Sequence, residues 1–189
     1  MADEKYVVSS AEISAMEGLA KTHFLNPNGK RINKSLGDMV GLTGFGFHII
    51  EVAPGDETTE HHVHHHEDEC VYILDGTATA YVGEDAIPVG VGDFIGYRKG
   101  GLAHSIKNTG SETLRCIVVG ERLAHDIGDY PRKGNGSTGT MVWRGTWSIT
   151  APSRNLSLAQ RNSGSRRPAL SGWVASVAVG LPSNRIVTV

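Results

Sequence analysis

Acidic residues are missing from the end of this 189-residue chain: all 20 aspartates and glutamates lie at or before Asp129. The first 130 residues hold ten basic residues against those 20, a net of −10, whereas the remainder carries eight basic residues and a net of +8. All nine histidines fall in the first part and all three tryptophans in the second, so the near-neutral total is a sum over two unlike compositions. Cysteine is scarce. Cys70 and Cys116 have neither metal-type nor redox-type spacing, which excludes a disulfide framework, and both read as small core residues of strands. No apolar run approaches the roughly 18 residues of a membrane-spanning helix. The opening MADEKYVVSS lacks the basic-then-apolar order of a secretory signal. A reduced, cytoplasmic protein that does not engage membranes is the expectation.

Helical periodicity is also sparse. Ser9 or Ser10 can cap a short helix over 11–19, with Glu12 in its first turn. Asn26-Pro27-Asn28-Gly29 reads as a turn. From Thr43 onward, short segments rich in Val, Ile, Phe and Tyr alternate with Gly, Pro and Asp. Strands are expected at 46–52, 60–65, 69–74, 77–82, 86–89, 93–97, 103–108 and 114–119, with Asp75-Gly76 and Gly83-Glu84-Asp85 as hairpin punctuation. Many short strands without intervening helices define an all-β antiparallel sandwich or barrel.

The chemistry concentrates in PGDETTEHHVHHHEDECVYILDG, residues 54–76. Five histidines occupy positions 61, 62, 64, 65 and 66. Side chains alternate along a strand, so His62 and His64 face one way and Val63 the other. Glu69 follows a short bend, and His104 stands alone near the start of a later strand. Two imidazoles, a carboxylate and a remote third imidazole can close around one divalent transition metal and leave positions open for water or substrate. Solvated acidic groups are common in loops, and no role is assigned to Glu57, Glu60, Glu67 or Asp68. Strand alternation offers His48 and Tyr72 as further polar groups facing the cavity, although a packed role suits each.

The order of these residues resembles the cupin superfamily. Its first motif is matched by Gly55, His62-Val63-His64, Glu69 after four intervening residues and Gly76 after six more. The spacer after Gly55 is one residue longer than usual; starting from His61 would restore it but break the H-x-H alternation. The second motif is matched from Gly92 to His104 and Asn108, with Lys99 where the motif has proline and one extra residue after Gly92, a departure that bears on loop geometry. The resemblance implies a double-stranded β-helix, or jelly roll, with a metal inside the barrel held by His62, His64, Glu69 and His104. It narrows to small single-domain bacterial cupins, loosely related to oxalate-binding and oxalate decarboxylase-type cupins, and spans 6–131, about two thirds of the chain.

In that group the D-Y-P-x-x-G segment continues with something like K-R-L-Y-R-N-x-G-x-x-W-D-L-V-D, whereas this chain reads NGSTGTMVWRGTWSIT from Asn135. A legal back-translation of that stretch, read from its third base, encodes R-L-Y-R-N-N-G-V-A-W-D-L-V-D-H. The single-codon residues Met141, Trp143 and Trp147 all fit. The segment from about Asn135 is therefore read as a frameshifted translation, which accounts for its lack of acid; a basic nucleic-acid-binding arm and a disordered extension are the competing readings. The expected organisation is an N-terminal extension over 1–42 packed on the barrel, a cupin barrel over 43–134 and an irregular basic tail over 135–189.

Such a site suits a metal-dependent enzyme acting on a small oxygen-rich or carboxylate-bearing molecule by oxygenation, isomerisation or decarboxylation. The alternative is a non-catalytic cupin that binds or senses a small molecule. Three imidazoles and a carboxylate do not choose among Mn, Fe, Ni and Zn. A small-molecule ligand and a second copy of the chain are the expected partners; nucleic acid is not, because the RNA-binding aromatic platform and the helix-turn-helix pattern are lacking.

Overall fold

A computed structural model describes residues 4–133, together with the backbone of strands at 137–142 and 146–150. The rest of the basic segment, and with it most of what was expected of 135–189, lies outside the described residues. Among the described residues no helix is long and apolar enough to cross a membrane.

Helix α1 spans Ser10–Ala15 and starts as the sequence suggests: Ser9 and Glu12 form a reciprocal capping box, each side chain satisfying the other's backbone N–H. It ends earlier than expected. Gly18 adopts φ +75°, where a Cβ would lie 2.5 Å from the Ile32 side chain, and the chain turns there into β1 (Leu19–His23).

Strand β1 and its partner β2 (Asn26–Ser35) were not legible as strands, and the turn expected at Asn26–Gly29 is displaced. The chain reverses at Phe24-Leu25, where His23 pairs with Asn26 beside a register shift. The Asn26 side chain accepts from the Asn28 N–H, so the turn-like NPNG tetrapeptide kinks the start of β2 instead of making the hairpin.

After the four-residue helix α2 (Leu36–Met39) come β3 (Phe45–Val52), β4 (Val63–His64), β5 (Glu69–Asp75), β6 (Thr77–Val82), β7 (Asp85–Gly90), β8 (Phe94–Tyr97), β9 (His104–Lys107), β10 (Leu114–Glu121) and β11 (His125–Tyr130). Two further strands, β12 (Ser137–Val142) and β13 (Thr146–Thr150), continue from β11 as antiparallel neighbours. One sheet runs β1-β2-β3-β10-β5-β8, a second β7-β6-β9 and a third β13-β12-β11-β4. The latter two are joined where His62 and His104 exchange backbone hydrogen bonds of 3.0 and 2.7 Å. The result is the expected all-β double-stranded β-helix with its short N-terminal helix.

Between the sheets lies the core of Ile50, Val52, Val71, Ile73, Ala78, Ala80, Tyr97, Ile106, Leu114 and Cys116. Period-two burial places it: Ile50 and Val52 on β3 pair with Cys116 and Leu114 on β10, and Cys116 pairs with Ile73 on β5. Cys116 is a small core residue as expected, Cys70 is half-buried, and both thiols are free. Gly76 adopts φ +85° at the β5–β6 turn, and a Cβ there would meet the Leu114 Cα at 3.1 Å. Asn108 is fully buried; its amide donates to the Val52 and Glu112 carbonyls at 2.8 and 2.9 Å, tying β9 to β3.

Candidate metal centre

The barrel brings His62, His64, Glu69 and His104 to one place. His62 is paired directly with His104, and β4 carries His64 one alternation further on the same face. Glu69 opens β5 between Gly120 on β10 and Tyr97 on β8. His104 lies flat on the Tyr97 ring, centroids 3.6 Å apart at 5°, which fixes its plane.

Each imidazole is oriented from behind through Nδ1. His62 Nδ1 lies 2.8 Å from the Glu60 carbonyl oxygen, His64 Nδ1 2.5 Å from Asp126 Oδ2 and His104 Nδ1 3.3 Å from the Leu102 carbonyl oxygen. With Nδ1–H donating in each case, every Nε2 is left to present its lone pair inward. His62 Nε2 and His64 Nε2 are 3.0 Å apart, about the separation of two nitrogens sharing one ion at roughly 2.1 Å. His104 Nε2 is buried without a hydrogen-bond partner and stands 3.7 Å from Glu69 Oε1, beyond hydrogen-bond reach. Ligand atoms of His62, Glu69 and His104 all lie within 4.8 Å of one another. Buried lone pairs that face one another beside a carboxylate fit a divalent cation.

Electrostatics support the same reading. Burial, reinforced by His64 and His104, holds His62 down to about 3. Burial also opposes charge on His64, but the Asp126 hydrogen bond and the Glu69 carboxylate outweigh it and raise its pKa. Glu69 is lowered to about 2, because His104, His64 and His62 overcome the desolvation of its carboxylate. One proton on His64 can bridge the short contact to neutral His62, and a metal ion is the stronger bridge.

The remaining histidines separate by alternation and exposure. His61 is buried on the other side, 3.2 Å from Ser105 Oγ; His65 is exposed and bonded to Asp129; His66 is exposed. The nearby acids are engaged elsewhere: Glu57 with Asn26, Glu60 with Lys133, Glu67 with the Leu123 N–H and Asp68 with the Lys99 N–H. That last bond accounts for the missing proline, since proline at 99 would lack the N–H that Asp68 accepts. The Gly100 N–H completes the loop by donating to the His64 carbonyl at 2.7 Å.

Tyr72 is corrected as a cavity residue. It lies three positions from Glu69 on β5, so the pleat turns it outward, where it is 43% exposed. His48 does face inward, beside Val118, and hydrogen-bonds Asn33 at 3.2 Å. Sequence reasoning missed Asp126, 62 residues beyond His64. It is 1% exposed on β11, where its Oδ1 accepts from the His66 N–H at 2.9 Å while Oδ2 holds His64. With His64 and Glu67 it forms a second group of clustered ligand-type atoms, but its oxygens are committed to orienting His64.

Comparison with known proteins bears on the family and the fold. A Cupin domain family model, Cupin_2, matches residues 48–120. A crystal structure from Acidithiobacillus ferrooxidans, named as a proposed sugar phosphate isomerase, is 45% identical; the match covers 77% of this chain and 91% of that one, with a TM-score of 0.73. A protein from Silicibacter pomeroyi named as a sugar phosphate isomerase of the cupin superfamily is 22% identical over 74% of this chain and 90% of its own, TM-score 0.65, a likeness of fold. A predicted oxalate decarboxylase from Thermotoga maritima matches at 26% identity over 50% of this chain and 80% of its own, TM-score 0.43. No curated protein matches the chain. The fold and the site define a double-stranded β-helix protein with a histidine-rich centre inside the barrel. The chain belongs to the cupin superfamily.

Proposed function

We propose that this chain is a metal-dependent isomerase of small sugars, acting on their phosphate esters. The observation that carries the reading is the cluster of ligand atoms from His62, Glu69 and His104 inside the barrel, with His64 Nε2 3.0 Å from His62 Nε2 beside it. The name borne by the 45%-identical Acidithiobacillus ferrooxidans protein supports isomerisation over oxygenation or decarboxylation. His62, His64, Glu69 and His104 would hold a divalent ion, whose positive charge would stabilise negative charge on substrate oxygens.

The chain's own residues supply rigidity and polarity. Asp126 holds the His64 ring and keeps its Nε2 directed inward. Tyr97 fixes the His104 plane by stacking. Glu69 remains ionised well below neutral pH and offsets the charge of the ion. Val71, at the core's edge two residues from Glu69, pairs with Val118 and keeps the inner face apolar next to these groups.

The test is turnover by metal-loaded protein with aldose and ketose phosphates and their parent sugars, followed by NMR in D2O to detect exchange at the carbon adjacent to the carbonyl. Interconversion that disappears in Glu69→Gln is expected. A metal-replete protein that leaves every sugar phosphate unchanged would contradict the proposal.

A further inference from the structure

The hairpin of β1 and β2 extends the large sheet beyond β3. Its inner face is identified by pairing: Asn33 stands opposite the core residue Ile50, and Lys21 opposite Arg31 lies one alternation away on that same face. Two like charges directly across an antiparallel pair oppose each other, more so when removed from water. Both side chains are half-buried. The Arg31 guanidinium bends inward, donating from Nη1 to the Thr58 carbonyl and coming under the influence of Glu69, a member of the metal set.

Two further groups converge there. His48 faces inward from β3, and Arg122, just beyond β10, is held at 2.6 Å by Asp38. Between these groups and the metal centre the sheet carries no side chain: Gly46 on β3 pairs with Gly120 on β10, which pairs with Glu69. A Cβ on Gly46 would meet His48 Nε2 at 2.7 Å and Arg122 Nε at 3.3 Å, whereas one on Gly120 would come within 3.9 Å of the Glu69 carboxylate. The two glycines make a floor joining this group of basic side chains to Glu69.

We propose that Lys21, Arg31, His48 and Arg122 form a phosphate subsite, which grips the phosphate monoester of the substrate while its carbonyl end reaches the metal centre across the Gly46–Gly120 floor. The assignment rests on the sugar phosphate reading for its substrate and on this chain's own geometry for its residues. An arginine fork and an ammonium together match the tetrahedral oxygens of a phosphate dianion. Burial, then the neighbouring Arg31, lowers Lys21 to about 8, as expected of cations gathered without bulk water.

The probe is inorganic phosphate, titrated calorimetrically against the full-length protein, both metal-loaded and stripped with a chelator, so that binding to the metal itself is separated. Stripped native protein should retain phosphate binding, and Lys21→Met and Arg31→Met should each weaken it at least tenfold while one metal per chain is still taken up on reloading. Arg31→Lys should recover part of the loss. With substrates, each Met variant should lose at least tenfold of the preference in kcat/KM for a sugar phosphate over its parent sugar. Phosphate binding that vanishes with the metal, or is unchanged in folded Lys21→Met protein, overturns the subsite. Intact phosphate binding without isomerisation by the native protein overturns the isomerase reading alone.

Discussion

Replacement of Asp126 by Asn tests how far the metal centre depends on a residue that never touches the metal. Asp126 Oδ2 receives the His64 Nδ1–H at 2.5 Å and Oδ1 receives the His66 N–H at 2.9 Å, in a setting where Asp126 is 1% exposed. Asparagine keeps the shape but removes the charge, and its amide can accept through one oxygen while its NH2 group faces the other donor. His64 then loses its fixed tautomer and part of its basicity. Removal of such an outer partner costs roughly 10–100-fold in metal affinity, or about 1.4–2.7 kcal/mol. Direct ligands should behave differently: His62→Ala or Glu69→Ala removes a donor outright. The assay is competition with a chromophoric chelator at pH 7.5, with thermal unfolding monitored in parallel. Folded Asp126→Asn protein that binds metal as tightly as the native chain would refute the orienting role.

The site should also respond to acid. His64 is raised by Asp126 and Glu69 despite its burial, so a proton competes with the metal for Nε2, and the apparent affinity should fall as pH drops through that raised pKa; a flat chelator-competition profile between pH 8 and 5.5 contradicts this. His48 moves oppositely, held down to about 4 by burial and then by Lys21 and Arg122. The unfolded chain takes up this proton near pH 6.5, so the stability present above that pH is lost as it falls from about 6.5 to 4, and His48→Gln should flatten the loss in urea melts. Leu114→Ala, at a fully buried core position, should cost about 2–5 kcal/mol in the same assay. Asn108→Ala should cost roughly 2–4 kcal/mol by stranding the Val52 and Glu112 carbonyls; a loss under 1 kcal/mol would mean that they find other partners.

What could be read from the sequence was what local periodicity encodes. The alternation of His62, Val63 and His64 set the two inward-facing imidazoles apart within a stretch of five histidines, and the lone His104 proved to be the direct pairing partner of His62. The Ser9–Glu12 box likewise marked the start of α1. Asp126 was hidden because its role arises only when β11 lies beside β4, a pairing with no local signal. Lys21 and Arg31 were hidden for a related reason: NPNG reads as a turn and no strands were legible around it, and only with the reversal at Phe24-Leu25 do the two cations come into register. Tyr72 shows the limit of alternation, since its parity is measured from Glu69, the first residue of its strand.

These four side chains are expected to hold one ion. Metal content per chain, measured by plasma mass spectrometry on native protein and on His62→Ala and His104→Ala variants purified alike, tests this most directly. One divalent transition metal per native chain, and far less than one in either folded variant, is the predicted result. Stoichiometric metal retained in both variants would contradict it.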